Sequence, residues 1–532
     1  MTLLQEPLII GIDSGTSIVK AVAFDLTGEQ VGMASRLNHY ELAGDGAATQ
    51  SMGQSWADCV ATLRALAEQI PDLARRTIAV SVTGQGDGTW LVGRDNAPVG
   101  DAWLWLDARA AGTVRTLRGS PAERARYVAT GTGLSTCQQG AQLAHMLRTA
   151  PDLLEKAEVA LHCKDWLFLN LTGVRATDPS EASLTFGDFR TRCYDDFVID
   201  ALGLRSVKRL LPPIVDGAAQ TFPLSAAAAT ATGLLQGTPV SLGFMDIVST
   251  GLGAGVYTRG QPAACTVTGS TGIHMKAVHF SEFLLNDSNT GYAIVLPVPD
   301  LVAQLQSNMA ATLNIDWVLS LAAEIANGAG ASFRASDFVP RIEGWLQASQ
   351  PARLLYHPYI SEAGERGPFI NAAARASFIG LSQNHHFADL VRAVIEGLGL
   401  AARDCYTAMG TIPADIRLSG GATRSGSLRE ILSAAIGAPV RLSGRAEAGA
   451  AGSAMMAAVA IGAFASMDDC LDVWVTPRLG ALEHPDPALT ATYAAHFETY
   501  QRARVGLEPV WDALSAPFPH PNDRWHHERL RA

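Results

Sequence analysis

The sequence predicts an α/β fold made of two related domains, and three observations carry that prediction. β-Rich runs at Leu8 to Ile12 and Val19 to Phe24 flank a turn of small residues, Asp13-Ser14-Gly15-Thr16-Ser17. The arrangement returns at Cys265 to Val267 and Ile273 to Val278, around Thr268-Gly269-Ser270-Thr271-Gly272, and both second strands carry Lys-Ala-Val. A third run, Asp415 to Leu418, ends at Ser419-Gly420-Gly421-Ala422-Thr423. An amphipathic stretch from Leu428 to Ile436 follows, completing a strand, glycine turn and helix.

Taken in order, the first hairpin opens a sheet and turns again at Leu26-Thr27-Gly28. Trp56, Val60, Leu63, Leu66 and Ile70 then fall at helical spacing, and Ile78 to Val82 reads as a buried strand. The Ala-rich segment Ser225 to Thr232 predicts an ordinary helix near the surface. Gly and Pro cluster between Gly253 and Ala263, which places a boundary there. The expected division is 1–256, 257–466 and a peripheral helical tail over 467–532, where Pro, His and charge increase.

With 532 residues, 48% hydrophobic and 17% charged, the chain is long enough for two separate cores and is not a disordered polymer. Its 51 acidic and 40 basic residues give a net charge of −11 and no basic field for a nucleic acid backbone. Seven scattered cysteines without a Cys-x-x-Cys pair predict reduced thiols and no zinc site. No apolar run approaches the roughly 20 residues of a membrane helix, and Leu8 follows no export signal. A soluble cytoplasmic protein is expected, with no nucleic acid and no membrane as partner.

The Gly/Ser/Thr turns offer backbone N–H groups and hydroxyls with little bulk, which suits either a phosphate or plain hairpin geometry. There is no Gly-x4-Gly-Lys-Ser/Thr loop, and the clusters at Gly84–Gly88 and Gly251–Gly255 do not match the dinucleotide fingerprint. No Gly-x-Ser-x-Gly elbow occurs either. The pairs His385-His386 and His526-His527 read as solvated surface histidines.

The order of these motifs resembles the FGGY family of carbohydrate kinases, in the actin, hexokinase and chaperone-ATPase superfamily, over roughly residues 8 to 460. The matching stretches are Ile10–Ser17 with Lys20, Val80–Gly88, Trp105-Leu106-Asp107-Ala108-Arg109, Lys164–Leu167, Leu171–Gly173, Thr177–Ser183 and Gly237–Asp246. The second half adds Gly269–Gly272, Pro358–Pro368, Glu396-Gly397, Ser419–Gly421 and Gly449–Gly452. The stretch Gln142–Met146 departs from the family's lysine and tryptophan there. Gly86-Asp87 stands where glycerol kinases have Arg-Glu and xylulokinases Met-His. The runs around Gly84–Leu91, Trp103–Ala110 and Tyr359–Pro368 are most similar to the family's erythritol kinases, and Asp246–Thr250 is shared in similar form with L-xylulose kinases.

The resemblance implies two actin-like (ribonuclease H-like) ATPase domains with a cleft between them, sugar held by the first and ATP mainly by the second. It implies ATP-dependent phosphorylation of a terminal hydroxyl of a small polyol, erythritol giving erythritol 4-phosphate. The alternatives are an L-xylulose or other pentulose kinase and, in a different class, a non-catalytic nucleotide-dependent sugar sensor. Asp246 is expected to be the base and, with Asp13, to hold Mg²⁺; an Asp there also serves as a helix cap. Gly15, Thr16, Ser17, Gly269, Ser270 and Thr271 are expected to cradle the β- and γ-phosphates, with Gly420, Gly421 and Ser425 facing the adenosine. Gln85 and Asp87 are expected to bind substrate hydroxyls, and Trp105 to lie flat against the carbon chain. Trp103 and Trp105 alternate on a strand-like run and are expected to point the same way. Asp107 and Arg109 are expected to pair or to touch substrate, and Glu365-Arg366 to act as scaffold. Relatives in the family are often homodimers.

Overall fold

A computed structural model describes residues 6–515. The first sheet contains β1 (Leu8–Ser14), β2 (Ile18–Phe24), β3 (Gln30–Leu37), β4 (Thr77–Gly84), β5 (Phe222–Pro223) and β6 (Pro239–Leu242), in the order β5-β6-β4-β1-β2-β3. β1, β2 and β3 form an antiparallel meander, while β4 and β6 run parallel beside β1. The second sheet repeats this plan with β7 (Ala264–Thr268), β8 (Gly272–His279), β9 (Tyr292–Val295), β10 (Leu301–Asn308), β11 (Ile416–Ser419) and β12 (Val440–Leu442), in the order β9-β10-β8-β7-β11-β12. β7 pairs antiparallel with β8, and β11 and β12 follow in parallel. The weak repeat between the two hairpins is therefore a repeat of sheet topology.

Eight helices matter to the site: α1 (Met52–Gln69), α2 (Cys163–Thr172), α3 (Pro179–Phe186), α4 (Asp246–Ala254), α5 (Gly426–Ile436), α6 (Ala448–Ala460), α7 (Met467–Trp474) and α8 (Pro487–Ser515). α4 follows β6 and α6 follows β12, so they are equivalent by topology, and they pack on each other between the sheets. The contact is backbone to backbone. A Cβ added at Gly452 would lie 1.9 Å from the Ser249 carbonyl oxygen, and one at Gly253 would lie 2.1 Å from that of Ala448. Gly11 in β1 admits the Ala450 carbonyl in the same way, and Ser81 and Ser453 share a 2.6 Å hydrogen bond. Only small residues permit this approach. The Ala/Gly-rich run 448–460 is thus the central seam of the molecule, and no helix of the described residues is long and apolar enough to cross a membrane.

The residues after 467 do not behave as a peripheral tail. Trp474 of α7 is fully buried, packs 5.4 Å from Phe24 and donates Nε1–H to the Leu26 carbonyl. Tyr493, Phe497, Tyr500 and Trp511 of α8 are buried in the second half's core. Tyr493, Phe497 and Tyr500 fall four and three residues apart and give α8 an apolar stripe that the high Pro, His and charge content of the region obscures. Residues 516–532, with His526 and His527, lie outside the described residues.

Candidate active site

The two equivalent turns face the space between the sheets. In the first, Gly15 N–H donates to the Ile18 carbonyl at 3.0 Å; in the second, Gly269 N–H donates to that of Thr271 at 3.1 Å. The second turn is braced by the Ala311 and Thr312 amides, which donate to Ser270 and Gly269. Gly420 at the end of β11 has φ +108°, and a Cβ there would lie 2.3 Å from the Thr268 carbonyl, so this turn touches the residue just before Gly269. Ser425 caps α5, its Oγ accepting from Leu428 N–H. Glycine is required at 420 by conformation as well as by space.

A cavity of about 210 Å³ opens between the halves. Of the residues expected at the site, Thr16, Gln85, Asp87, Trp105, Asp246 and Thr271 line it. Trp105 Nε1–H donates to Thr16 Oγ1 (2.8 Å), Thr16 to Gln85 Oε1 (3.0 Å), and Gln85 Nε2 to Gln50 Oε1 (2.9 Å). That chain fixes the indole against the cavity and leaves the Thr16 hydroxyl engaged with side chains. Gly15, Ser17, Gly269 and Ser270 stand on the flanking turns, while Gly420, Gly421 and Ser425 follow β11, which pairs in parallel with β7, and none of these seven lines the cavity itself. Asp87 has φ +58°, and its Oδ1 is buried without a hydrogen-bond partner.

Asp246 is the first residue of α4, and its Oδ1 accepts the Ile247 N–H at 2.7 Å. The turn before it is pinned three ways. Thr83 and Ser249 donate to the Phe244 carbonyl, and the Met245 N–H donates to Ser180 Oγ. Burial first, and the nearby charge of Asp13 second, push Asp246 up to about 7. Burial likewise raises Asp13 to about 6, Lys20 pulling against it and Glu447 adding to it. Lys20 pairs with Glu447 at 2.7 Å, and neither Asp13 nor Asp246 has an ion-pair partner within 4 Å among the described residues.

Behind Asp87 and Asp246 lies a buried ionic network whose shape the sequence did not reveal. Lys164 in α2 has no exposed side-chain surface and sits 2.5 Å from both Asp165 and Asp178. His162 contacts Asp165 (3.0 Å) and Glu181 (3.5 Å), and Glu181 accepts the Asp87 N–H at 3.5 Å. Burial pushes Glu181 up to about 8, against the pull of His162 and Lys164. Asp178 caps α3, so the network aims Ser180 and Glu181 at the backbone of Met245 and Asp87. A Lys-Asp pair within an otherwise apolar helix was the available signal.

Two expectations change. Arg366, expected as scaffold, lines the cavity from the second half, with Nε donating to Ser307 Oγ (2.9 Å) and its guanidinium 5.9 Å from the Trp105 ring. Glu365 does the scaffolding, accepting the Met309 and Arg366 N–H groups at 2.9 Å each. Nor do Trp103 and Trp105 point the same way, since the strand ends at Trp103. Trp103 is buried beneath the Arg109 guanidinium at 3.4 Å, and Arg109 pairs with Asp107 at 2.6 Å, so that pair is structural. Tyr292 and Ser307 complete the polar lining contributed by the second half.

Two α/β halves of one topology, each presenting a small-residue turn to a shared cleft, form a sugar kinase of the actin-like ATPase fold. The chain belongs to the FGGY family of carbohydrate kinases, whose N-terminal domain matches residues 8–253 and C-terminal domain residues 268–461. It is 60% identical over 509 residues to an erythritol kinase of Brucella abortus, covering 96% of this chain and 98% of that protein. A xylulose kinase of Escherichia coli is 27% identical over 94% of this chain and its own full length. In fold, the chain matches the crystal structure of a gluconate kinase from Lactobacillus acidophilus with a TM-score of 0.86 at 20% identity, over 96% of this chain and 100% of that one.

Proposed function

We propose that this chain transfers the γ-phosphoryl group of ATP to a terminal hydroxyl of erythritol, giving erythritol 4-phosphate. The observation that carries the reading is the 60% identity, from end to end, with an erythritol kinase, against 27% with a xylulose kinase. The cavity agrees in character: its volume of about 210 Å³ suits a short chain, and Gln85, Asp87, Ser307 and Arg366 supply donors and acceptors for several hydroxyls.

Asp246 orients the reacting hydroxyl and receives its proton. The backbone N–H groups of Ile247 and Gly86 orient the carboxylate at the cavity wall, and a carboxylate raised to about 7 is matched to proton uptake near neutrality. Gly15 and Gly269 close the two turns with their own N–H groups and keep them free of side-chain bulk, so that Ser17 and Ser270 can present polar groups to the β- and γ-phosphates from two sides, with Thr16 and Thr271 at the cavity face. Gly420, Gly421 and Ser425 flank the adenosine. Asp13 and Asp246 are mutually repelling buried carboxylates, a hard-oxygen donor set that fits Mg²⁺. Bound there, the ion supplies charge neutralisation for the transferring phosphoryl group. Closure of the two halves excludes the water that would otherwise accept the phosphoryl group. Seven free thiols, six of them buried, support a cytoplasmic setting.

The test is ADP release with Mg-ATP against erythritol, D- and L-threitol, glycerol, xylitol and L-xylulose. Erythritol is expected to give the highest kcat/KM; a higher value for a ketose would overturn the substrate while keeping the chemistry.

A further inference from the structure

We propose that Arg366, from the second half, and Asp87, from the first, together hold the hydroxyl at the end of the polyol remote from the transferred phosphoryl group. The substrate itself then ties the two halves together. The inference rests on the polyol reading above and names the residues that read the far end of the chain.

Four observations point there. Both side chains line the same cavity from opposite halves, and neither forms an ion pair among the described residues. Asp87 Oδ1 is buried without a hydrogen-bond partner among the described residues, and the Cys137 thiol beside the carboxyl is a weak donor, so a stronger ligand donor would offset the cost of burying it. Among the described residues the guanidinium makes one hydrogen bond, Nε to Ser307 Oγ, and its carbon lies 5.9 Å from the Trp105 ring centroid, so its terminal nitrogens are available to donate. Both side chains face the one cavity, and Arg366 acts on Asp87 through its charge without forming an ion pair with it. A hydroxyl is the group that can donate to the carboxylate and accept from the guanidinium at once.

The same wall sets chain length. Trp105, Tyr292 and Arg366 also line a second chamber of about 320 Å³, bounded further by Arg118, Leu134, Cys137 and Met309. These three side chains lie between the inner cavity and that chamber, where a polyol longer than the inner cavity would reach them.

The experiment compares erythritol with butane-1,2,3-triol, its analogue lacking one terminal hydroxyl, in wild type, Arg366→Met and Tyr292→Phe. In wild type the missing hydroxyl is expected to lower kcat/KM by roughly 10- to 100-fold, the range for a charged hydrogen bond. In Arg366→Met that ratio is expected to collapse towards one, because the reader of the hydroxyl has gone. A ratio unchanged from wild type, whatever the fall in absolute rate, would show a purely structural arginine and overturn the proposal. Tyr292→Phe keeps the ring in the wall and is expected to retain the discrimination to within about threefold; loss of it there with none in Arg366→Met would reassign the role. Wild type that does not phosphorylate erythritol at all would refute the substrate reading instead.

Discussion

Lys164→Met tests whether the buried network carries the site. Lys164 lies 2.5 Å from Asp165 and from Asp178, and all three side chains are fully buried. Methionine fills similar volume but leaves two carboxylates facing one another, and breaking a buried pair in this way costs about 3–5 kcal/mol. For a domain of the first half's size that is a fall in Tm on the order of 10 °C. The pH dependence has a definite sign. Burial alone would raise Asp165, but Lys164 and His162 hold it well below the usual carboxylate range. Without Lys164 that depression is lost, the folded variant binds a proton more readily than the unfolded chain, and the deficit shrinks as pH falls from 8 towards 5. Thermal unfolding of both proteins at several pH values measures this, and Lys164→Met/Asp178→Asn is expected to recover part of the loss. Turnover is expected to fall as well, although Lys164 is outside the cavity, because α3 carries Ser180 and Glu181 to the backbone of Met245 and Asp87. A loss below about 1 kcal/mol at pH 8, or one that grows towards pH 5, would refute the reasoning.

Asp246→Asn is expected to lower kcat by about 10²- to 10⁴-fold while keeping the bond from Ile247 N–H, as steady-state kinetics would show. The same variant is expected to be more stable than wild type when metal-free: a folded carboxyl at about 7 against 3.8 costs stability that is absent near pH 4 and complete above pH 7. The gain, on the order of 2–4 kcal/mol at pH 8, should vanish at pH 4 in urea unfolding with chelator present. Gly452→Ala puts a Cβ 1.9 Å from the Ser249 carbonyl, so unfolding experiments should show a loss near the upper end of the 1–3 kcal/mol typical of overpacking, with reduced kcat because α4 must shift. Trp105→Phe removes the donor to Thr16, and the KM for polyol is expected to rise about 3- to 10-fold while that for ATP changes less than twofold.

The two sheets were legible because their information is local. β-Branched runs flanking Gly/Ser/Thr turns at 13–17 and 268–272 mark hairpins without reference to the rest of the chain, and the Lys-Ala-Val repeat betrays their kinship. Asp246, Asp87 and Trp105 could be singled out through resemblance, and the cavity brings them together. Arg366 could not be read correctly. It adjoins Glu365 in sequence, which suggests a pair, yet the Glu365 carboxylate turns back to backbone amides while the arginine reaches across the cleft. Which way two neighbouring charges point is decided by tertiary contacts more than 50 residues away, at Ser307 and Met309. Trp103 and Trp105 failed for a local reason: alternation holds only while the strand lasts, and it ends at Trp103.

The seam between α4 and α6 constrains how the molecule can close. At Gly452 and Gly253 the helices touch through backbone atoms, and α6 also meets β1 and β4 through Ala450 and Ser453. A contact with no side-chain slack resists sliding, so the closure proposed for the two halves would be a rotation about the seam, opening on the side of the hairpin turns. Asp246 stands at the α4 end of that opening and Asp13 close to Gly449 of α6, so the reacting centre sits beside the hinge, where displacement is small. Arg366 reaches the cavity from the far half, where rotation moves it most. A residue beside the hinge suits chemistry that demands fixed geometry, whereas one on the moving rim suits recognition that is completed on closure. Position relative to the seam thus agrees with the different tasks proposed for Asp246 and Arg366 within one cavity.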